Sequence, residues 1–105
     1  KKPFDEASGI LKTNFWDMVN VENTDINQTI NTQPLMLAAG IATWRVLEES
    51  NINHPSFSAG HSLGEFTALV AAKAFSFESG LHIVKKRAEL MQNAVTSDKG
   101  AMAAI

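Results

Sequence analysis

Apolar and polar positions follow a helical period over two long stretches of the chain, with shorter irregular pieces around them. Between Phe4 and Thr29 small amphipathic segments are interrupted by Asn and Thr, whose side chains compete for backbone hydrogen bonds, so one or two short helices are expected there. Thr32 as a cap and Pro34 in the first turn predict a helix running to about Ser50, with Leu37, Ile41, Trp44 and Leu47 near the 3.6-residue spacing of one face. Asn51 to Pro55 reads as a turn. Pro55-Ser56-Phe57-Ser58-Ala59 is a short β-tolerant run, and Glu65 to Ala72 is rich in helix formers. Phe75-Ser76-Phe77 connects to a second long helix from about Phe77 to Ala94, which Thr96-Ser97-Asp98-Lys99-Gly100 breaks, and Ala101 to Ile105 reads as another short strand. The pattern is α/β alternation with helix in excess, without internal repeats or low-complexity tracts. Trp16, Trp44 and the methionines are expected in the core.

Composition narrows the partners. The 105 residues are 45% hydrophobic and 19% charged, with a formal net charge of -2. Nine basic residues are scattered apart from Lys85-Lys86-Arg87, which argues against nucleic acid as a partner. No apolar run approaches the roughly 18 residues that a membrane span requires, and Lys1-Lys2-Pro3-Phe4-Asp5 lacks the apolar core of a secretion signal. Without cysteine there are no disulfides or thiolate metal sites. His54, His61 and His82 lack metal-ligand spacing, so no metal is expected.

Chemistry concentrates at Gly60-His61-Ser62-Leu63-Gly64, a serine between two glycines, after a β-tolerant run and before a helix. This is the pattern of a nucleophile elbow, in which the chain turns so sharply from strand to helix that the serine hydroxyl projects from the turn. Such a backbone asks for neighbours without side chains, a demand that Gly60 and Gly64 would meet. The helix opening beside Ser62 would turn free N–H groups and the positive end of its dipole toward an oxyanion, and the N–H of Leu63, the residue after the nucleophile, is the natural donor. The plainer alternative is an ordinary turn in which Ser62 caps the helix. His61 is adjacent to Ser62, but consecutive side chains diverge at a tight elbow, so it is not cast as the base. Glu65 suits the helix dipole and is read as structural.

On the helix from Phe77 to Ala94, Leu81, Val84, Ala88 and Met91 form one stripe, while Ile83, Arg87 and Leu90 form another at about 100° per residue. Arg87 therefore sits among apolar neighbours, where its planar fork suits a carboxylate. It either binds the free carboxylate of a dicarboxylic acyl group, or forms an internal ion pair, or snorkels to the surface. Lys85 and Lys86 read as a solvated face, and His82 either as surface or as a residue just behind the site.

Gly60-His61-Ser62-Leu63-Gly64-Glu65-Phe66 resembles the active-site signature of malonyl-CoA:acyl carrier protein transacylases and related acyltransferase domains. Asn31-Thr32-Gln33-Pro34, Val84-Lys85-Lys86-Arg87-Ala88-Glu89-Leu90-Met91-Gln92 and Gly100-Ala101-Met102-Ala103-Ala104-Ile105 are similar to further blocks of that family in the same order, from about Thr29 onward. The resemblance implies an α/β-hydrolase-like acyltransferase core with a short parallel strand before the elbow, and a small ferredoxin-like subdomain beginning at Ala101–Ile105. It also implies a malonyltransferase of fatty acid biosynthesis. Ser62 would be the catalytic nucleophile and the Leu63 N–H an oxyanion donor, and Arg87 would hold the malonyl carboxylate. His61 and Gln33 would lie at the substrate site, although His61 could equally be a structural histidine and Gln33 a polar helix-cap residue. The substrates would be malonyl-CoA and the phosphopantetheine thiol of acyl carrier protein, with no bound cofactor and no metal. The implied protein is cytoplasmic and monomeric when complete, with no nucleic-acid or membrane partner; Lys73 or Lys85 could meet the carrier protein. A family fold about three times as long makes residues 1–105 a partial acyltransferase domain, and the absence of Met at the start and the apolar run at Ile105 read as truncations. The family's catalytic histidine and second oxyanion contact come from segments outside this sequence. A serine hydrolase or thioesterase with the same elbow, or an inactive scaffold, are the alternatives.

Overall fold

The computed structural model describes residues 1–20, 29–94 and 100. Among them five helices form: α1 (Lys2–Leu11), α2 (Phe15–Asn20), α3 (Thr29–Glu49), α4 (Leu63–Ala71) and α5 (Phe77–Ala94). The second long helix, α5, has the bounds read from the sequence. The expected strand at residues 55–59 is absent. That stretch is exposed coil, with Phe57 93% exposed, because a strand exists only where a neighbouring backbone completes its ladder, and no described segment lies alongside to pair with it. The second expected strand, Ala101–Ile105, and the ferredoxin-like subdomain assigned to it lie outside the described residues, as does the helix breaker at 96–99.

α3 is the axis of the bundle and packs against α1, α4 and α5. It starts at Thr29, so Thr32 is inside its first turn rather than at its cap, and Pro34 is an interior, buried residue. Pro34 lacks an N–H for the Ile30 carbonyl, a loss that a helix tolerates near its start better than at its centre. Leu37 and Ile41 are buried as their spacing requires, but Trp44 is half-buried and Leu47 is 42% exposed, because the helix outruns its neighbours near its C-terminal end. A Cβ on Gly40 would stand 2.6 Å from Thr67 Cγ2, so this glycine sets how closely α4 crosses α3.

α1 and α2 close one end. Ala7, Leu11 and Phe15 are buried against Leu35, Leu37 and Leu81 in a single apolar cluster. Ser8 joins the two short helices: its Oγ donates to the Phe4 carbonyl at 2.8 Å and accepts from the Phe15 N–H at 3.0 Å. Asn14 starts α2, its Oδ1 accepting the Asp17 N–H at 3.2 Å. Glu6 and Arg45 pair in a two-pronged contact of 3.0 and 3.1 Å, and the guanidinium lies 5.3 Å over the Phe77 ring, tying α1, α3 and α5 together.

The two stripes of α5 separate as expected in direction but not in burial. Leu81, Val84 and Ala88 are fully buried, whereas Ile83 and Leu90 are 40% and 60% exposed. Trp16 is half-buried against Phe4, and Met36 and Met91 are 57% and 36% exposed, so the expectation that the tryptophans and methionines fill the core fails at these positions. Smaller aliphatic side chains occupy the helix crossings instead, where large flexible ones do not fit.

Candidate active site

Three elements meet at Ser62: the loop leading into α4, the face of α5 around Arg87, and the N-terminal half of α3. Ser62 stands at the N-cap of α4 with φ 55° and ψ −118°, a conformation that L side chains rarely adopt. Holding it costs on the order of 1–3 kcal/mol and is sustained by the surrounding backbone. Gly60 makes the turn feasible by close approach, since a Cβ there would fall 2.0 Å from the carbonyl carbon and oxygen of Gly64. Gly64 has a different status from the one its place in the motif suggests. Its φ is not positive and a Cβ on it would meet nothing within 4 Å, so the demand for a bare backbone falls on Gly60 while the strain falls on Ser62 itself.

Ser62 occupies the capping position but does not cap: its side chain makes no hydrogen bond to the first turn of α4. The reading of Ser62 as an ordinary helix cap is thereby set aside. Its residue is exposed, and its Oγ accepts a hydrogen bond from Arg87 Nη2 at 3.0 Å. The N–H groups of Gly64 and Glu65 bond back to the carbonyls of His61 and Ser62 at 2.9 and 3.2 Å. No backbone acceptor for the Leu63 N–H is seen among the described residues, and it lies in the first turn of α4, at the positive end of the helix.

Arg87 reaches this point because α5 carries it on the face turned to α4, half-buried, with its guanidinium carbon 5.4 Å from the centre of the Phe66 ring. Among the described residues neither the internal ion pair nor the solvent-directed arginine is seen. Nη1 donates instead to Gln33 Oε1 at 2.6 Å. Gln33 is 5% exposed, the one buried polar side chain among the described residues, and its Nε2 faces Thr29 Oγ1 and Met91 Sδ at 3.4 Å each. Next to the guanidinium lies an open groove of about 430 Å³ lined by Phe66, Ile83, Lys86, Arg87, Leu90 and Met91.

The structure thus brings Ser62, Leu63, Arg87 and Gln33 into one place. His61 is exposed beside them without a hydrogen bond to Ser62, while His54 lies edge-on to Trp44 and His82 is on the surface. Glu65, Lys73 and Lys86 are exposed; Lys85 is half-buried. Sequence reasoning missed Phe66 and Met91, placed under and beside Arg87. Met91 is one helical turn from Arg87, and the i, i+4 relation was available to find it. Among the described residues no group of three His, Cys, Asp or Glu side chains is positioned to hold a metal ion.

No family model matches the chain. It is 44% identical over its full length to the malonyl CoA-acyl carrier protein transacylase of Bacillus subtilis, covering 33% of that protein. The crystal structure of an acyl carrier protein S-malonyltransferase from Vibrio cholerae superposes with a TM-score of 0.86 at 43% identity, over 91% of this chain and 32% of that one. The chain is a relative of the malonyl-CoA:acyl carrier protein transacylases. A malonyl-transacylase solved in complex with its type II polyketide acyl-carrier protein gives the same TM-score and identity over 90% of this chain and 31% of that one. The chain spans about a third of the length of the transacylases it matches. The full-length match takes in the helices that carry Ser62 and Arg87, and no strand stands beside them among the described residues.

Proposed function

We propose that this chain is the nucleophile-bearing part of an acyl-carrier-protein S-malonyltransferase, with an α/β-hydrolase-like core, acting in the cytoplasm in fatty acid biosynthesis. One observation carries the reading: a strained, exposed serine at a helix N-terminus whose hydroxyl is met by the guanidinium of Arg87.

Ser62 Oγ attacks the thioester carbonyl of malonyl-CoA. Its proton passes to a base, a histidine supplied from outside these residues, because His61 diverges from the hydroxyl. The carbonyl oxygen becomes an oxyanion facing the Leu63 N–H and the dipole of α4. Collapse breaks the C–S bond, coenzyme A leaves as the thiol with that proton, and malonyl remains as a serine ester. The phosphopantetheine thiol of an acyl carrier protein then attacks the ester, and Ser62 recovers its proton. Arg87 turns its Nη2 from Ser62 Oγ to the free carboxylate of the acyl group, a charge-assisted contact that a neutral acyl group does not offer. A serine hydrolase has no need of a guanidinium above its nucleophile, which places transfer of a charged acyl group ahead of hydrolysis. The neighbour solved with its acyl-carrier protein supports such a protein as acceptor.

The test is to incubate the full-length protein carrying this chain with labelled malonyl-CoA and map the label by peptide mass. Label on Ser62, absent in Ser62→Ala and discharged by holo acyl carrier protein, is the expected result. Discharge to water at the same rate with and without carrier protein would favour the hydrolase.

A further inference from the structure

Arg87 carries the charge at the site, but its aim is set elsewhere. Its Nη1 is bound to Gln33 Oε1 at 2.6 Å, and Gln33 comes from α3, so the amide of one helix orients the guanidinium of another. An amide has two faces, and if Gln33 flipped, its NH₂ would meet the guanidinium donor against donor. Two contacts hold the productive face. Nε2 lies 3.4 Å from Thr29 Oγ1 on the same helix and 3.4 Å from Met91 Sδ on α5. Burial of Gln33 to 5% exposure raises what is lost when either end goes unpaired.

We propose that Met91 is a positioning residue for the acyl carboxylate: its sulfur accepts from Gln33 Nε2, keeps Gln33 Oε1 on Arg87 Nη1, and so fixes where the free end of the fork can meet an anion. This deepens the malonyl-transfer reading and rests on it. With Nη1 held by Gln33, Nη2 is the end that can leave Ser62 Oγ for an incoming carboxylate, so the clamp sets the distance between the reacting carbonyl and the charged end of the acyl chain. Met91 touches neither reacting atom. A neutral acyl group such as acetyl makes no use of the clamp.

Met91→Leu removes the acceptor at nearly constant volume, and Met91→Gln returns an oxygen acceptor at similar reach. In the full-length protein, Met91→Leu is expected to raise the KM for malonyl-CoA about threefold with kcat unchanged, as suits loss of one weak hydrogen bond acting through a neighbour. Transfer from acetyl-CoA stays as in the parent, and Met91→Gln restores the malonyl KM. Gln33→Leu, which removes the amide altogether, is expected to cost malonyl kcat/KM about tenfold against acetyl. If both Met91→Leu and Gln33→Leu change malonyl and acetyl alike, or leave both unchanged, while Arg87→Ala still loses malonyl selectively, the positioning role is wrong and the malonyltransferase reading stands. If Arg87→Ala shows no selectivity, that underlying reading is what fails.

Discussion

Arg87 Nη2 donates to Ser62 Oγ across 3.0 Å although 25 positions separate the two residues in the chain. The contact joins the middle of α5 to the start of α4. It puts a positive charge beside a hydroxyl that caps nothing, and the proposed preference for a charged acyl group would rest on that charge.

Arg87→Ala in the full-length protein is therefore expected to reduce malonyl transfer by about a hundredfold or more, since a charged acyl end then lacks its partner, while transfer from acetyl-CoA is spared or raised. Parallel kcat/KM measurements on the two thioesters check this; equal losses would remove Arg87 from acyl selection.

The strain at Ser62 has a stability consequence. Ser62→Gly relaxes the φ 55°, ψ −118° conformation, and is expected to gain about 1 kcal/mol, whereas Ser62→Ala keeps the strain and gains nothing of that kind. Urea midpoints of the chain and its two variants measure the difference. In the full-length protein both variants should lose acyl-serine formation.

Gly60 and Gly64 look equivalent in the motif and are expected to respond in opposite ways. Gly60→Ala drives a methyl into the Gly64 backbone 2.0 Å away, and should cost about 2–4 kcal/mol or displace the elbow. Gly64→Ala meets open space in the first turn of α4, where alanine is the better helix former, and should stabilise the chain by about 0.5–1 kcal/mol. Denaturant unfolding of both variants is the check, and similar losses in the two would refute the asymmetry.

The 105 residues alone are expected to form little or no acyl-serine from labelled malonyl-CoA, because no described histidine is bonded to Ser62 to take its proton. Substantial self-acylation would mean that His61 or the solvent serves as base.

The Glu6–Arg45 pair should contribute modestly. Both side chains are more than a third exposed, at 38% and 35%, so water screens the pair and a double-mutant cycle should give about 1 kcal/mol or less, falling with added salt. Loss of the stacking on Phe77 adds to the cost of Arg45→Ala but not to the coupling with Glu6.

Sequence alone determined what is local. The helical period of Phe77–Ala94 sets α5 and the burial of Leu81, Val84 and Ala88, and the Gly-x-Ser-x-Gly pattern with its following helix formers places Ser62 at a helix start, because turns and helix faces depend on neighbours a few residues away. Tertiary structure decided what depends on distant neighbours. Residues 55–59 have the composition of a strand and stay exposed coil for want of a pairing backbone. Which glycine of the motif is indispensable follows from a close approach across the elbow that residue types do not encode. The meeting of Gln33, Ser62 and Arg87 arises because α3, α4 and α5 pack at angles fixed by small residues such as Gly40 at their crossings. A periodicity says which face of a helix is apolar; only the packed neighbours say what that face touches.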